Sequence, residues 1–221
     1  MQELWKQVDD YLAGLLVPED EALTAVVKAN REANLPAIDV PPQLGKFLAL
    51  LITISGAKRV LEIGTLGGYS TIWLARALPA DGKVVTLELE PRHAEIARQN
   101  LERAGVSGRV EIRVGQALES LRALSLAEEA AFDFIFIDAD KKNLPEYLDW
   151  SLKLAHKGTI ILADNVIRDG KVIDAESTDP NIRGARRFLE LAAANPRLSA
   201  TAIQTVDSKG YDGFAMAVVL S

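Results

Sequence analysis

The sequence predicts an α/β fold: a doubly wound, mostly parallel sheet of seven strands with an antiparallel strand at its end and a helical extension in front. Three observations predict it. Five short apolar runs alternate with helix-period segments between residues 59 and 194, and continuous apolar strands between helices belong to a parallel sheet covered on both faces. Two more strand-like runs follow the last helix with no helix between them, which makes a closing hairpin. The first apolar run, Val60-Leu61-Glu62-Ile63, enters the glycine-rich turn Gly64-Thr65-Leu66-Gly67-Gly68-Tyr69-Ser70 and then a helix, the usual nucleotide-binding corner of such sheets.

At 221 residues the chain suits one domain, 1–221, with residues 1–56 as helices belonging to it. Hydrophobic content of 48% and charged content of 25% are ordinary for a globular protein. The sequence has no cysteine, so disulfides, thiolate metal sites and cysteine nucleophiles are excluded, which fits a reducing cytoplasm. No apolar stretch reaches the roughly 18 residues of a membrane span, and the polar start Met1-Gln2-Glu3-Leu4-Trp5-Lys6-Gln7 lacks a signal-peptide core. A cytoplasmic protein without a membrane partner is expected. A net charge of −6 weighs against a nucleic-acid partner, since phosphate binding needs a basic surface.

The first two helices come from Leu4, Val8, Tyr11, Leu12 and Leu15 at helical spacing, then Ala22, Val26, Val27 and Ala29 after the break at Pro18. Asp20 or Glu19 opens the second. These helices read as a packing or dimer-forming extension. Residues 35–42 are extended, because residues before proline avoid the helical region, and Pro42 then starts a helix over 43–55. The alternation that follows is strand 59–63, helix 70–78, strand 83–87, helix 91–104, strand 110–114, helix 117–124, strand 132–137, helix 144–154, strand 159–162 and helix 180–194. The late strands cover 198–205 and 213–219.

Ligands of open α/β sheets bind outside the carboxyl ends of the strands. The first strand ends at Gly64 with Glu62 just inside it. The spacing Gly64-x-x-Gly67-Gly68 departs from the dinucleotide fingerprint G-x-G-x-x-G, which disfavours a nicotinamide-dependent oxidoreductase. Ser70 is either a helix cap or a donor to an anionic ligand group. The second strand ends in Glu88-Leu89-Glu90-Pro91. An acid here is placed to accept from ribose hydroxyls. Glu88, at the end of the apolar run, is the better candidate, and Glu90 is placed to cap the next helix. Gly115 and Ala117 follow the third strand, either beside an adenine or simply as a helix start.

The fourth strand ends in Ile137-Asp138-Ala139-Asp140-Lys141 and the fifth in Ala163-Asp164-Asn165. Asp138, Asp164 and Asn165 form a hard, all-oxygen donor set suited to Mg²⁺, Mn²⁺ or Ca²⁺, with positions left for a chelating pair of substrate oxygens. Lys141 follows on the same turn. A cation beside a lysine disfavours its charged form, leaving an amine that can take a proton from a hydroxyl. The competing reading is a lysine that only pairs with Asp138 or Asp140.

Taken together, Val60–Ser70, Glu88, Phe134–Lys141 and Asp164-Asn165 resemble the metal-dependent class I O-methyltransferases, the family of caffeoyl-CoA and catechol O-methyltransferases and their bacterial relatives. The resemblance runs from about Val40 to Gly210-Tyr211-Asp212-Gly213-Phe214. It implies a Rossmann-like seven-stranded sheet with a reversed last hairpin, and S-adenosylmethionine at the glycine corner. Val40, Glu62, Gly64, Thr65 and Ser70 then hold the methionine end. Glu88 holds the ribose, Gly115 and Ala117 line the adenine, and Asp138 and Asp140 contribute to the cofactor pocket. Asp138, Asp164 and Asn165 match the metal ligands, with Mg²⁺ foremost, and Lys141 matches the general base. The implied acceptor is a small molecule with a catechol-like or other vicinal pair of oxygens. A homodimer built on residues 4–27 is implied as well. Some relatives methylate a hydroxylated uridine in tRNA, which is the alternative within the family. Many relatives carry tryptophan at the site of Arg168, where this chain has the charged loop Arg168-Asp169-Gly170-Lys171. The acidic loop 174–179 reads as a lid or as a solvated connection.

Overall fold

The computed structural model of the chain describes residues 1–18, 20–127 and 130–221. Glu19, the alternative opening of the second helix, lies outside them. The chain divides into two compact units, one of Gln7–Ser120 and one of Met1–Lys6 with Leu121–Ser221.

In the first unit three parallel strands, β1 (Arg59–Ile63), β2 (Lys83–Glu88) and β3 (Val110–Val114), lie in the order β3-β2-β1. Four consecutive residues of β1, Val60 to Ile63, are wholly buried, as a strand covered on both faces requires. Register sets Glu62 opposite Thr86. Helix α1 (Gln2–Leu16) has no buried residue along its length, and Leu4, Tyr11, Leu15 and Leu16 are exposed. Helix α2 (Glu21–Glu32) is opened by Asp20, whose Oδ1 accepts from the Leu23 N–H at 2.9 Å. Helix α3 (Pro42–Ser55) has proline at its first position and ends at Gly56 in the left-handed region, φ 67°. Helix α4 (Tyr69–Ala77) begins one residue before the expected start, so Ser70 sits inside the first turn and is not the cap. Helix α5 (Pro91–Arg103) has Glu90 at its N-cap position, where the side chain makes no capping hydrogen bond. Helix α6 (Ala117–Leu126) follows β3.

In the second unit β4 (Phe132–Ile137) and β5 (Ala155–Ala163) are parallel, β7 (Gly210–Val219) runs antiparallel to β5, and β6 (Leu198–Asp207) forms a hairpin with β7, in the order β4-β5-β7-β6. The hairpin closes over Ser208-Lys209, with Asp207 Oδ1 accepting from the Lys209 and Gly210 N–H groups at 2.6 and 3.1 Å. β5 starts earlier than its apolar run, because Ala155 pairs with Phe132 before a register shift brings Ile160 opposite Phe134. Phe132, Phe134 and Phe136 alternate along β4 and are buried with Phe188 of helix α8 (Pro180–Ala194). Ile135 and Ile137, on the other face of β4, are equally buried. Helix α7 (Leu144–Leu154) follows β4. The seven strands, mostly parallel with an antiparallel end, make the Rossmann-like α/β fold that the sequence leads one to expect.

Candidate active site

The glycine turn after β1 departs from regular geometry at three points: Gly64 (φ 101°), Leu66 (φ 50°) and Gly68 (φ 85°) all lie at positive φ. Glycine takes this region without a Cβ penalty, whereas Leu66 must be held there. Two buried carboxylates hold the turn. Glu88 Oε2, at the end of β2, accepts the Thr65 and Leu66 N–H groups at 3.2 and 2.8 Å, and its Oε1 accepts the Glu90 N–H at 2.9 Å. Glu62 is fully buried. It accepts the hydroxyls of Ser70, Thr71 and Thr86 at 2.6, 2.5 and 2.6 Å, so the cost of burying it is offset by hydrogen bonds. The Ser70 hydroxyl therefore binds the β1 acid.

A third support comes from α2. Gly67 lies so close to Asn30 that a Cβ there would stand 1.9 Å from Asn30 Oδ1. Asn100 Nδ2, on α5, donates to Asn30 Oδ1 at 3.0 Å and to the Gly67 carbonyl at 2.8 Å, and Asn30 Nδ2 donates to Asp39 Oδ1 at 2.8 Å. Neither asparagine stands out in the sequence, since each is one polar residue in an amphipathic helix. The structure thus gathers Glu62, Gly64, Thr65, Ser70 and Glu88 at one corner. Gly115 (φ 140°) joins them through its N–H, which donates to the Glu88 carbonyl at 2.8 Å. Ala117 opens α6, and Val40 is buried ahead of α3. Of the two acids at the end of β2 and just beyond it, Glu88 is buried and Glu90 is exposed.

In the second unit the ends of β4 and β5 are in register, Ile137 opposite Ala163, and the Asp164 N–H donates to the Ile137 carbonyl at 3.0 Å. Asp138 and Asp164 are therefore the first residues beyond two paired strand ends. Asn165 follows at φ 55°, its N–H donating to Asp164 Oδ1 at 2.8 Å. Lys141, buried, donates from Nζ to Asp138 Oδ1 at 3.0 Å. The Asp164 carboxyl is pushed well above the usual range, first by its own burial and then by the neighbouring Asp138 charge, with Lys141 acting against both. Two carboxylates that repel one another, with Asn165 next in the chain, are a donor set that a hard divalent cation fits, since its charge would relieve that repulsion. Among the described residues no group of three His, Cys, Asp or Glu side chains could hold a metal ion.

Asp140 stands apart from this group. It is exposed and accepts from the Tyr147 hydroxyl at 2.5 Å and from Asn143 Nδ2 at 2.8 Å. Burial, and then this hydrogen bond, raise the Tyr147 phenol above its ordinary pKa. Two further residues shape the tips. Gly184 of α8 packs on the Lys141 backbone, where a Cβ would come within 2.1 Å of the Lys141 carbonyl oxygen. A lone glycine inside the helical run 180–194 is the sequence signal that points to such an approach. Asp212 Oδ1 takes the N–H groups of Ile167, Arg168 and Gly213 at 3.0, 2.9 and 3.0 Å, which fastens the loop beyond Asn165 to β7.

Comparison with known proteins agrees with this geometry. Residues 15–211 match the family model described as O-methyltransferase. The chain is 50% identical to a catechol O-methyltransferase of Niastella koreensis, over 98% of each chain. It is also similar to a solved O-methyltransferase of Bacillus cereus in complex with SAH, with TM-score 0.98, 59% identity and coverage of 99% of this chain and 100% of the other. An O-methyltransferase of Streptomyces achromogenes involved in tomaymycin synthesis, solved with SAM, is similar at TM-score 0.96 and 49% identity over 100% of this chain and 99% of the other.

Proposed function

This chain belongs to the O-methyltransferase family and is an S-adenosylmethionine-dependent member of it, and we propose that it methylates a hydroxyl of a catechol-like small molecule with the help of a divalent cation. The observation that carries the proposal is the pairing of Asp138 and Asp164 at adjoining strand ends with Lys141 ion-paired to Asp138. Family membership leaves no place for a nicotinamide-dependent oxidoreductase.

S-adenosylmethionine supplies an electrophilic methyl group. Glu88 binds the ribose through the lone pairs that its backbone N–H partners leave open. Val40, Glu62, Gly64, Thr65 and Ser70 receive the methionine end. Gly115 and Ala117 flank the adenine, and Asp138 and Asp140 are assigned to cofactor binding as well. Asp138, Asp164 and Asn165 would hold the cation, Mg²⁺ first and Mn²⁺ or Ca²⁺ next, which would supply Lewis acidity that makes a neighbouring hydroxyl easier to deprotonate. The uncharged form of Lys141 receives the hydroxyl proton at Nζ. The acceptor oxygen then takes the methyl group from sulfur, and S-adenosylhomocysteine leaves. The protein's main contribution is to hold two bound reactants in an attack geometry.

The two units act as one catalytic domain in this reading, in the cytoplasm. Helix α1, with no buried residue and a row of exposed leucines, suits a homodimer contact. No helix among the described residues is long and apolar enough to cross a membrane. A screen with methyl-labelled S-adenosylmethionine over diphenols, flavonoids, hydroxylated acyl-CoA esters and tRNA tests the proposal. Transfer to diphenols is expected, and transfer to tRNA alone would overturn it.

A further inference from the structure

Three non-glycine residues at positive φ stand in the segment after β5: Asn165 at 55°, Arg168 at 56° and Asp169 at 56°. Such backbone is strained and persists only where its surroundings fix it. Asp212 does so through Oδ1, which takes three backbone N–H groups. The Val166 N–H adds a bond to the Gly213 carbonyl at 2.9 Å, and the Asp169 N–H one to the Tyr211 carbonyl at 3.2 Å. The loop is thus pinned to the start of β7, and Arg168 is placed three residues beyond Asn165 in a fixed attitude.

The Arg168 side chain is poorly matched where it stands. Its Nη1 reaches only Asp212 Oδ2, at 3.7 Å, and Oδ1 of that carboxylate is already taken by backbone donors. Its Nε is buried and has no hydrogen-bond partner among the described residues. A third of the side chain, 34%, is exposed. A guanidinium presents five N–H donors in a planar fork that fits a carboxylate. Here one long ion pair serves all five.

We propose that Arg168 is a specificity-determining residue that selects acceptors bearing a carboxylate in addition to the two oxygens held at the strand tips. This rests on the catechol-type reading of the site given above. The alternative is that Arg168 only balances the charge of Asp212 and of Asp164, on which Asp212 acts. The two differ in what they spare. A charge-balancing arginine matters equally for every acceptor, whereas a selecting arginine matters for the anionic ones.

The experiment compares 3,4-dihydroxybenzoate with the neutral 3,4-dihydroxybenzyl alcohol under saturating S-adenosylmethionine and Mg²⁺, for the native protein, Arg168→Gln and Arg168→Lys. The native protein should favour the benzoate in kcat/KM by about 10-fold or more, the size of a charge-assisted pair. Arg168→Gln should lose about 30-fold on the benzoate, chiefly in KM, and less than about 3-fold on the alcohol. Arg168→Lys should recover part of the loss, since it keeps the charge without the fork. Calorimetric binding of the benzoate in the presence of S-adenosylhomocysteine and Mg²⁺ should weaken in parallel, a readout independent of turnover. Equal losses on both acceptors, or none on the benzoate, would overturn the assignment while leaving the catechol reading intact. If the native protein binds S-adenosylmethionine but methylates neither diol, the catechol reading itself fails and the role of Arg168 falls with it.

Discussion

Lys141 Nζ lies 3.0 Å from Asp138 Oδ1, and both residues are on the one turn that leaves β4. The contact ties the proposed proton acceptor to a proposed metal ligand. Replacing Lys141 with Met keeps much of the buried volume and removes the base. Turnover should fall by about 10²- to 10⁴-fold, the range of a positioned acid–base group, with the dissociation constant for S-adenosylmethionine changed less than about 3-fold. Single-turnover rates and calorimetry on the same variant check it. Equal losses in both would contradict the assignment.

Asn30 props the glycine turn from α2, taking a hydrogen bond from Asn100 and packing on Gly67. Asn30→Ala leaves buried donors and acceptors without their partner. The expected cost is about 1–3 kcal/mol of stability. The corner should also loosen, so KM for S-adenosylmethionine should rise several-fold with kcat nearly unchanged. Chemical denaturation and steady-state kinetics measure the two effects separately.

His156 links the first residues of β5 to β4, its Nδ1 near the Lys157 carbonyl at 2.7 Å and its Nε2 near Asp133 Oδ1 at 2.8 Å. The carbonyl contact, and then the Asp133 hydrogen bond, raise its pKa above 6.5. A histidine raised on folding favours the folded state most at pH below its unfolded value, and that contribution is lost as pH climbs through the folded value. The Tm difference between the native protein and His156→Gln should therefore be larger near about pH 5.5 than near about pH 9. A difference that grows with pH would contradict the linkage.

The alternation of apolar runs and helical segments makes the fold legible in the sequence, because each run marks both a strand and the place where it ends. That is why Glu62, Glu88, Asp138 and Asp164 can be named as strand-end acids before any coordinates. What the sequence hides is which partners those acids already have. Ser70 reads as a cap or as a donor to a ligand, yet its hydroxyl goes to Glu62, eight residues earlier in the chain. Asn30, Asn100 and Asp212 act through contacts 33 to 70 residues away along the chain, which no local pattern encodes. Gly184 lies between these extremes. A glycine inside a helix signals a close approach, but only the structure says that Lys141 is what approaches.

The reaction proposed for this chain is methyl transfer from S-adenosylmethionine to a cation-assisted hydroxyl. Its most direct measurement is methyl transfer from ¹³C-methyl S-adenosylmethionine to catechol, followed by NMR in Mg²⁺, in excess EDTA, and in EDTA overcome by Mg²⁺. The account predicts a labelled O-methyl signal in the first sample, none in the second, and its return in the third. Label transfer at full rate in EDTA would contradict the role assigned to Asp138, Asp164 and Asn165.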